Sequence, residues 1–129
     1  PYLKRMVEEF HRAGYLPILH ADADWTDNLP YLRELPKGAA MIETDGVTNL
    51  FKAKEILGDR MCIWGDVPAT LFTLATPREV EDYCKKLIDI CGQDGGFVLS
   101  SGCEVPLNAK LENIRAMINT AKTHGVYRK

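Results

Sequence analysis

The feature that most constrains this chain is a fourfold alternation. Four short apolar runs are separated by stretches of helical period, and each run turns polar at its C-terminal end. The runs are Tyr15-Leu-Pro-Ile-Leu19, Ala39-Ala-Met-Ile-Glu43, Met61-Cys-Ile-Trp64 and Gly96-Phe-Val-Leu-Ser100. Short continuous apolar runs alternating with helices are the pattern of parallel strands covered on both faces. Between them, Leu3, Met6, Val7 and Phe10 follow the i, i+3, i+4, i+7 rule and predict a helix over 2–13, stopped at Gly14. A short helix is predicted over 28–35. Another runs from Val47 to Leu57, with Val47, Leu50, Phe51 and Leu57 on one face and Gly58 as the stop. Ala69–Leu74 reads as one helical turn. Thr76-Pro77-Arg78-Glu79 supplies a cap, a first-position Pro and a Glu three residues after the cap. An apolar stripe of Val80, Tyr83, Cys84, Leu87, Ile88 and Cys91 follows, ended by Gly92. Asn108 is predicted to cap a last helix carrying Leu111, Ile114, Ile118 and Ala121.

The order α-β-α-β-α-β-α-β-α is an α/β fold of parallel (β/α) units. Two architectures fit it: a doubly wound open sheet, or part of a (β/α)8 barrel. A whole barrel needs about 200–250 residues. With 129 residues and four strands, this chain would be half of one, a single domain over 1–129. It opens at Pro1 and runs straight into a helical pattern, so further residues are expected in front.

Composition narrows the function classes. Apolar residues make up 46% and charged residues 26%, which excludes disorder and low complexity. No apolar run approaches the length of a membrane span. A net charge of -2 gives no electrostatic footprint for nucleic acid or an anionic bilayer. Cys62, Cys84, Cys91 and Cys103 have no C-x-x-C spacing, and the sequence leads to no expectation of a secretory leader, so a reducing, cytoplasmic setting is expected.

The polar residues gather at the strand ends. They are His20-Ala-Asp22-Ala-Asp24, Glu43-Thr-Asp45-Gly46, Gly65-Asp66 and Ser100-Ser-Gly-Cys103-Glu104. In parallel α/β folds these ends share one rim, where ligands bind. Asp22, Glu43 and Asp66 are the expected catalytic carboxylates. His20, Asp22 and Cys103 offer nitrogen, oxygen and sulfur donors suited to Zn2+ with an open fourth position. His20 serves equally as an acid–base group, and Cys103 equally as a small packing residue. Asp24, Asp27 and Asp45 read as helix caps or solvated loop residues. Cys62, Cys84 and Cys91 read as packing, and His11 and His124 as solvated or helix-dipole partners. No P-loop, G-x-G-x-x-G or G-x-S-x-G occurs, and a Ser nucleophile is not expected.

Several of these runs together resemble the uroporphyrinogen decarboxylase superfamily. They are Ile18-Leu-His20-Ala-Asp22, Trp64-Gly-Asp66-Val-Pro68, Thr76-Pro77-Arg-Glu79-Val, Gly95 through Pro106, and Asn113-Ile-Arg-Ala-Met117. The likeness covers nearly the whole chain and is to the C-terminal half of that superfamily. It implies a (β/α)8 barrel with its site at the strand C-termini. Within the superfamily, Ser100-Ser-Gly-Cys-Glu-Val-Pro106 is similar to the corrinoid-dependent methyltransferases. There the likeness implies a zinc held by a His-x-Cys pair and a distant Cys. His20 matches the His and Cys103 the distant Cys, while position 22 is Asp instead of Cys. An oxygen ligand would leave zinc more Lewis acidic and a bound thiolate less electron-rich, and Asp24 would compete for the role. The uroporphyrinogen decarboxylases themselves carry Gly-His-Gly near the last strand. Gly102-Cys103 stands there in this chain. Their Arg-rich substrate loop has no counterpart here.

The resemblance thus implies zinc-assisted transfer of a methyl group from a methyl-corrinoid, carried on a partner protein, to a small-molecule acceptor. The alternatives are porphyrinogen decarboxylation, with His20 and the rim carboxylates orienting pyrrole N–H groups, and a non-catalytic half-barrel. A half-barrel is expected to form a homo-oligomer or to pair with an N-terminal half, because its edge strands are open.

Overall fold

The computed structural model describes residues 1–126. Helix α1 (Tyr2–Arg12) leads into strand β1 (Ile18–Ala21). A 3-10 turn (Thr26–Asn28) and the short α2 (Leu29–Leu32) precede β2 (Met41–Thr44). Then come α3 (Leu50–Leu57), β3 (Cys62–Val67), α4 (Ala69–Thr73), α5 (Pro77–Cys91), β4 (Phe97–Ser101) and α6 (Leu111–His124). All three strand pairings are parallel, and the sheet order is β1-β2-β3-β4.

That order decides between the two architectures. A doubly wound sheet reverses direction at a switch point, whereas a barrel adds each strand beside the last. Here the strands follow chain order without reversal. The helices gather on one face. Ile42, Ile63 and Val67 are fully buried there with Leu50, Ala53 and Leu57 of α3 and Val80, Cys84 and Leu87 of α5. Each large side chain so buried contributes about 1.5–3 kcal/mol. Ile18, Met41, Cys62, Trp64 and Val98 lie outside this core, on the opposite face. The fold is therefore four (β/α) units of a partial barrel.

The sequence-based expectation that both faces of the sheet are covered is corrected among the described residues. Ile18 is 46% and Val98 37% exposed on the open face. An apolar run shows that a strand wants burial on two faces, but not whether both covers lie within the same stretch of chain.

Several boundaries shift for identifiable reasons. Strand β1 begins after Pro17, whose carbonyl still accepts from Met41 N at 3.0 Å. Helix α3 starts at Leu50 because the Asn49 side chain caps it, accepting from Lys52 N at 3.1 Å; Val47 is left exposed before the cap. Helix α6 starts at Leu111 with Lys110, not Asn108, at the cap position. Its buried positions are Asn113 and Thr120, while Leu111 and Ile118 face outward. The capping box of α5 forms as the sequence indicates: Thr76 N donates to Glu79 Oε2 at 2.7 Å, and Glu79 N donates to Thr76 Oγ1 at 3.4 Å.

Candidate active site

The strand register puts His20 beside Glu43, Glu43 beside Trp64, and Trp64 beside Val98. These four therefore form one row across the open face near the C-terminal rim. His20 Nδ1 lies 2.8 Å from Glu43 Oε2, and His20 Nε2 lies 3.1 Å from Asp22 Oδ1. A carboxylate oxygen can only accept, so both ring nitrogens are matched when each carries a proton. The imidazolium is thus the form that satisfies the geometry. The Glu43 hydrogen bond, ahead of the charges of Glu43 and Asp22, holds the His20 pKa above its ordinary value. Asp22 stands open to solvent at 77% side-chain exposure, against 22% for Glu43. Asp22 thus connects the ring to solvent, and Glu43 connects it to the sheet.

A second set of bonds fixes the loop that carries Asp22. Asp45 Oδ2 accepts from Ala23 N at 2.9 Å and Asp45 Oδ1 from Val47 N at 3.1 Å. Thr48 Oγ1 accepts from Trp25 N and donates to Ala23 O, both at 3.0 Å. Trp25 Nε1 donates to the Asp22 carbonyl at 2.9 Å. Asp24 accepts from Thr26 N at 2.8 Å, and its bonds to Thr26 hold its pKa down. Asp24 thus ties its own turn, and Asp45 joins the loop after β1 to the loop after β2, where the sequence indicates only helix caps or solvated loop residues.

Asp66 lies apart from this row. It is only 3% exposed and meets the helical layer: Tyr83 OH of α5 donates to Oδ1 at 3.2 Å, and Thr44 Oγ1 donates to Oδ2 at 3.5 Å. Burial pushes its pKa up to about 6, against the opposing pull of the Tyr83 and Thr44 hydrogen bonds. The loops after β2 and β4 meet at the same rim. A Cβ on Gly102 would fall 2.7 Å from the Asp45 carbonyl carbon and 2.9 Å from its oxygen, so only glycine fits without backbone movement. Asp66 is accordingly placed as a buried rim anchor and not beside His20, where a shared catalytic set would need it.

Cys103 follows β4 and is exposed. Strands β1 and β4 are three positions apart, roughly 14 Å along the sheet at about 4.8 Å per strand. Among the described residues no three His, Cys, Asp or Glu side chains converge on a cation-holding point. Of the three expected donors, His20 and Asp22 lie together, with His20 Nε2 3.1 Å from Asp22 Oδ1, while Glu43 engages Nδ1. In this arrangement His20, Asp22 and Cys103 are therefore not gathered around one point. The packing roles of Cys84 and Cys91 are as expected, both fully buried on α5. Cys62 is half-buried on the open face. His124 pairs with Asp89 at 2.7 Å in the last turn of α6.

Sequence reasoning missed two contributors. Thr44 and Tyr83 carry no motif; only the burial of Asp66 reveals them. Trp64 is visible in its strand, but its place beside Glu43 depends on register.

The comparisons bear on this partial barrel as a whole. The sequence model of the family described as Uroporphyrinogen decarboxylase (URO-D) matches residues 1–124. The chain belongs to the uroporphyrinogen decarboxylase family. Among curated proteins, it is similar to a uroporphyrinogen decarboxylase of Dichelobacter nodosus (strain VCS1703A), with 24% identity over 118 residues. The match takes in 92% of this chain and 33% of that relative, so the chain spans about a third of the length of the curated relative. Family membership agrees with the unreversed strand order of the sheet. No helix among the described residues is long and apolar enough to cross a membrane.

Proposed function

We propose that this uroporphyrinogen decarboxylase-like domain carries a proton-donating site centred on His20, serving a decarboxylation that ends in protonation of carbon. The observation that carries the reading is the Glu43–His20–Asp22 chain, in which both ring nitrogens meet carboxylates. When a carboxylate leaves as CO2, its electron pair stays on carbon and must take a proton. His20 as imidazolium supplies that proton, and Glu43 stabilises the cation before transfer and fixes the ring. Water then returns the proton by way of Asp22. The remaining rim, including any cationic groups that hold the leaving carboxylate, would come from another half-barrel along the open edges β1 and β4.

A second reading is methyl transfer from a methyl-corrinoid to a small acceptor, with zinc on His20, Asp22 and Cys103. Its support is the Ser100–Pro106 resemblance and the exposed thiol of Cys103 at the same rim. It requires the Cys103 loop to approach β1 and His20 to release a proton.

Metal analysis separates the two. The chain, prepared without chelators and then exposed to zinc, is compared with Cys103→Ala. If His20 is a proton donor, neither protein should hold stoichiometric zinc. One tightly held zinc per chain, lost in Cys103→Ala, would overturn that reading in favour of methyl transfer.

A further inference from the structure

The two carboxylates that meet His20 are held in different ways. Glu43 lies within β2, in register with His20, and its side chain is mostly buried. Asp22 lies just past the end of β1, and its side chain is mostly exposed, yet its Oδ1 stands 3.1 Å from His20 Nε2. Ordering an exposed carboxylate costs conformational entropy, and packing does not offset that cost here. Its direction is set by other means.

The backbone on its far side supplies them. The peptide unit joining Asp22 to Ala23 is bound at both ends. Trp25 Nε1 donates to its oxygen, and its N–H donates to Asp45 Oδ2, each at 2.9 Å. The next carbonyl, that of Ala23, accepts from Thr48 Oγ1 at 3.0 Å, and the same hydroxyl accepts from Trp25 N at 3.0 Å. Thr48 is buried, and Asp45 is tied down in turn by Val47 N. Ala23 takes φ of +65°, a conformation that residues with a Cβ rarely adopt. It persists because side chains of the loop after β2 bind both its N–H and its C=O. Ala21, on the other side of Asp22, is paired with Thr44 in the sheet. With the backbone fixed before and after it, Asp22 keeps only its side-chain torsions free.

We infer that Asp45 and Thr48 are positioning residues: from the loop after β2 they hold the Asp22–Ala23 peptide plane so that the Asp22 carboxylate meets His20 Nε2. This inference rests on the proton-donor reading for the role of His20. Its own claim is that the reach of Asp22 to the ring is set across the sheet from β2, and not by β1 alone. The consequence is one-sided. Loss of the clamp affects Nε2 and spares Nδ1, which Glu43 holds independently. General loosening of the rim affects both.

The test follows the two ring N–H protons of His20 by NMR in the cold at about pH 5, below the ordinary histidine pKa, where the imidazolium carries both. Their exchange with water is measured in the natural chain, in Thr48→Val and in Asp45→Asn, with amide spectra reporting the fold. Thr48→Val removes the hydroxyl without changing charge. Each variant should speed exchange at Nε2 about fivefold, the scale of one lost hydrogen bond, and leave Nδ1 unchanged. Thr48→Ser keeps the hydroxyl and should restore the natural rate. In Asp22→Ala the Nε2 proton should already exchange fast, and adding Thr48→Val should change nothing further. Equal acceleration at both nitrogens, an Nε2 rate that neither variant moves, or a further acceleration on top of Asp22→Ala would each overturn the inference. If Glu43→Gln leaves exchange at Nδ1 unmoved, the proton-donor reading fails instead, while the clamp is still judged at Nε2.

Discussion

Replacing Asp66 by Asn should change how stability depends on pH, and the size follows from its burial. Asp66 is shielded from water, and its side chain accepts from the hydroxyls of Thr44 and Tyr83. Its pKa rises from an ordinary 3.8 to about 6. The folded state therefore holds a proton that the unfolded state has already lost between these values. Stability contributed by the neutral carboxyl is intact below about pH 4 and falls as pH rises through about 6. At about 1.4 kcal/mol per pH unit, the total is of order 3 kcal/mol. Asn cannot ionise, and its amide can still exchange hydrogen bonds with two hydroxyls. Urea unfolding of both proteins between pH 4 and pH 8 checks this. The Asp66→Asn protein should gain about 3 kcal/mol relative to the natural chain across that range. His20 and the other titrating groups are common to both proteins and cancel in the difference. Parallel stability curves would refute the reasoning, because they would mean that Asp66 is as well solvated when folded as when unfolded.

Other substitutions test neighbouring parts of the structure. Gly102→Ala should cost about 1–3 kcal/mol, since the atoms nearest its Cβ would be Asp45 and Gly46 backbone, which cannot swing aside; calorimetry should show a melting temperature lower by about 5–10 °C. Gly14→Ala, where nothing lies within 4 Å but φ is +84°, should show backbone strain without a clash and cost less. Asn113 is fully buried on α6, and its amide donates to the carbonyls of Leu71, Phe72 and Ala75. Phe72 O and Ala75 O keep Lys110 N and Nζ as donors, so Asn113→Ala should cost about 1–3 kcal/mol through the lost amide donors, read as a lower urea midpoint with an unchanged slope.

How far the sequence reveals this fold depends on how local each cause is. Helix α5 is legible almost to the residue because its capping box and apolar stripe lie within the same stretch of chain. The four strands are legible as apolar runs, but β3 runs on to Val67 because Gly65 and Asp66 look like loop residues and are in fact paired with β4. The rim of polar strand ends is legible as a set. Its division is not, because the His20–Glu43 contact spans 23 residues and the Asp66–Tyr83 contact crosses from sheet to helix. A polar residue at a strand end can face either side, and period alone could not assign Asp66 to the helical layer. Nor could a list of zinc-capable donors show that β1, which carries His20, and β4, which leads to Cys103, are the two edge strands. That needs strand order, which the spacing of the runs does not contain.

The central claim is that His20 is a proton donor held by Glu43. The most direct measurement is an NMR titration of the His20 ring in the natural chain and in Glu43→Gln. His20 is expected to titrate above its ordinary pKa in the natural chain, and to move down when the Glu43 charge and acceptor are removed. As a raised His pKa, this interaction stabilises the fold below about pH 6.5 and fades as pH rises through the folded-state value. A His20 that titrates at or below its ordinary value, unmoved by Glu43→Gln, would contradict the claim.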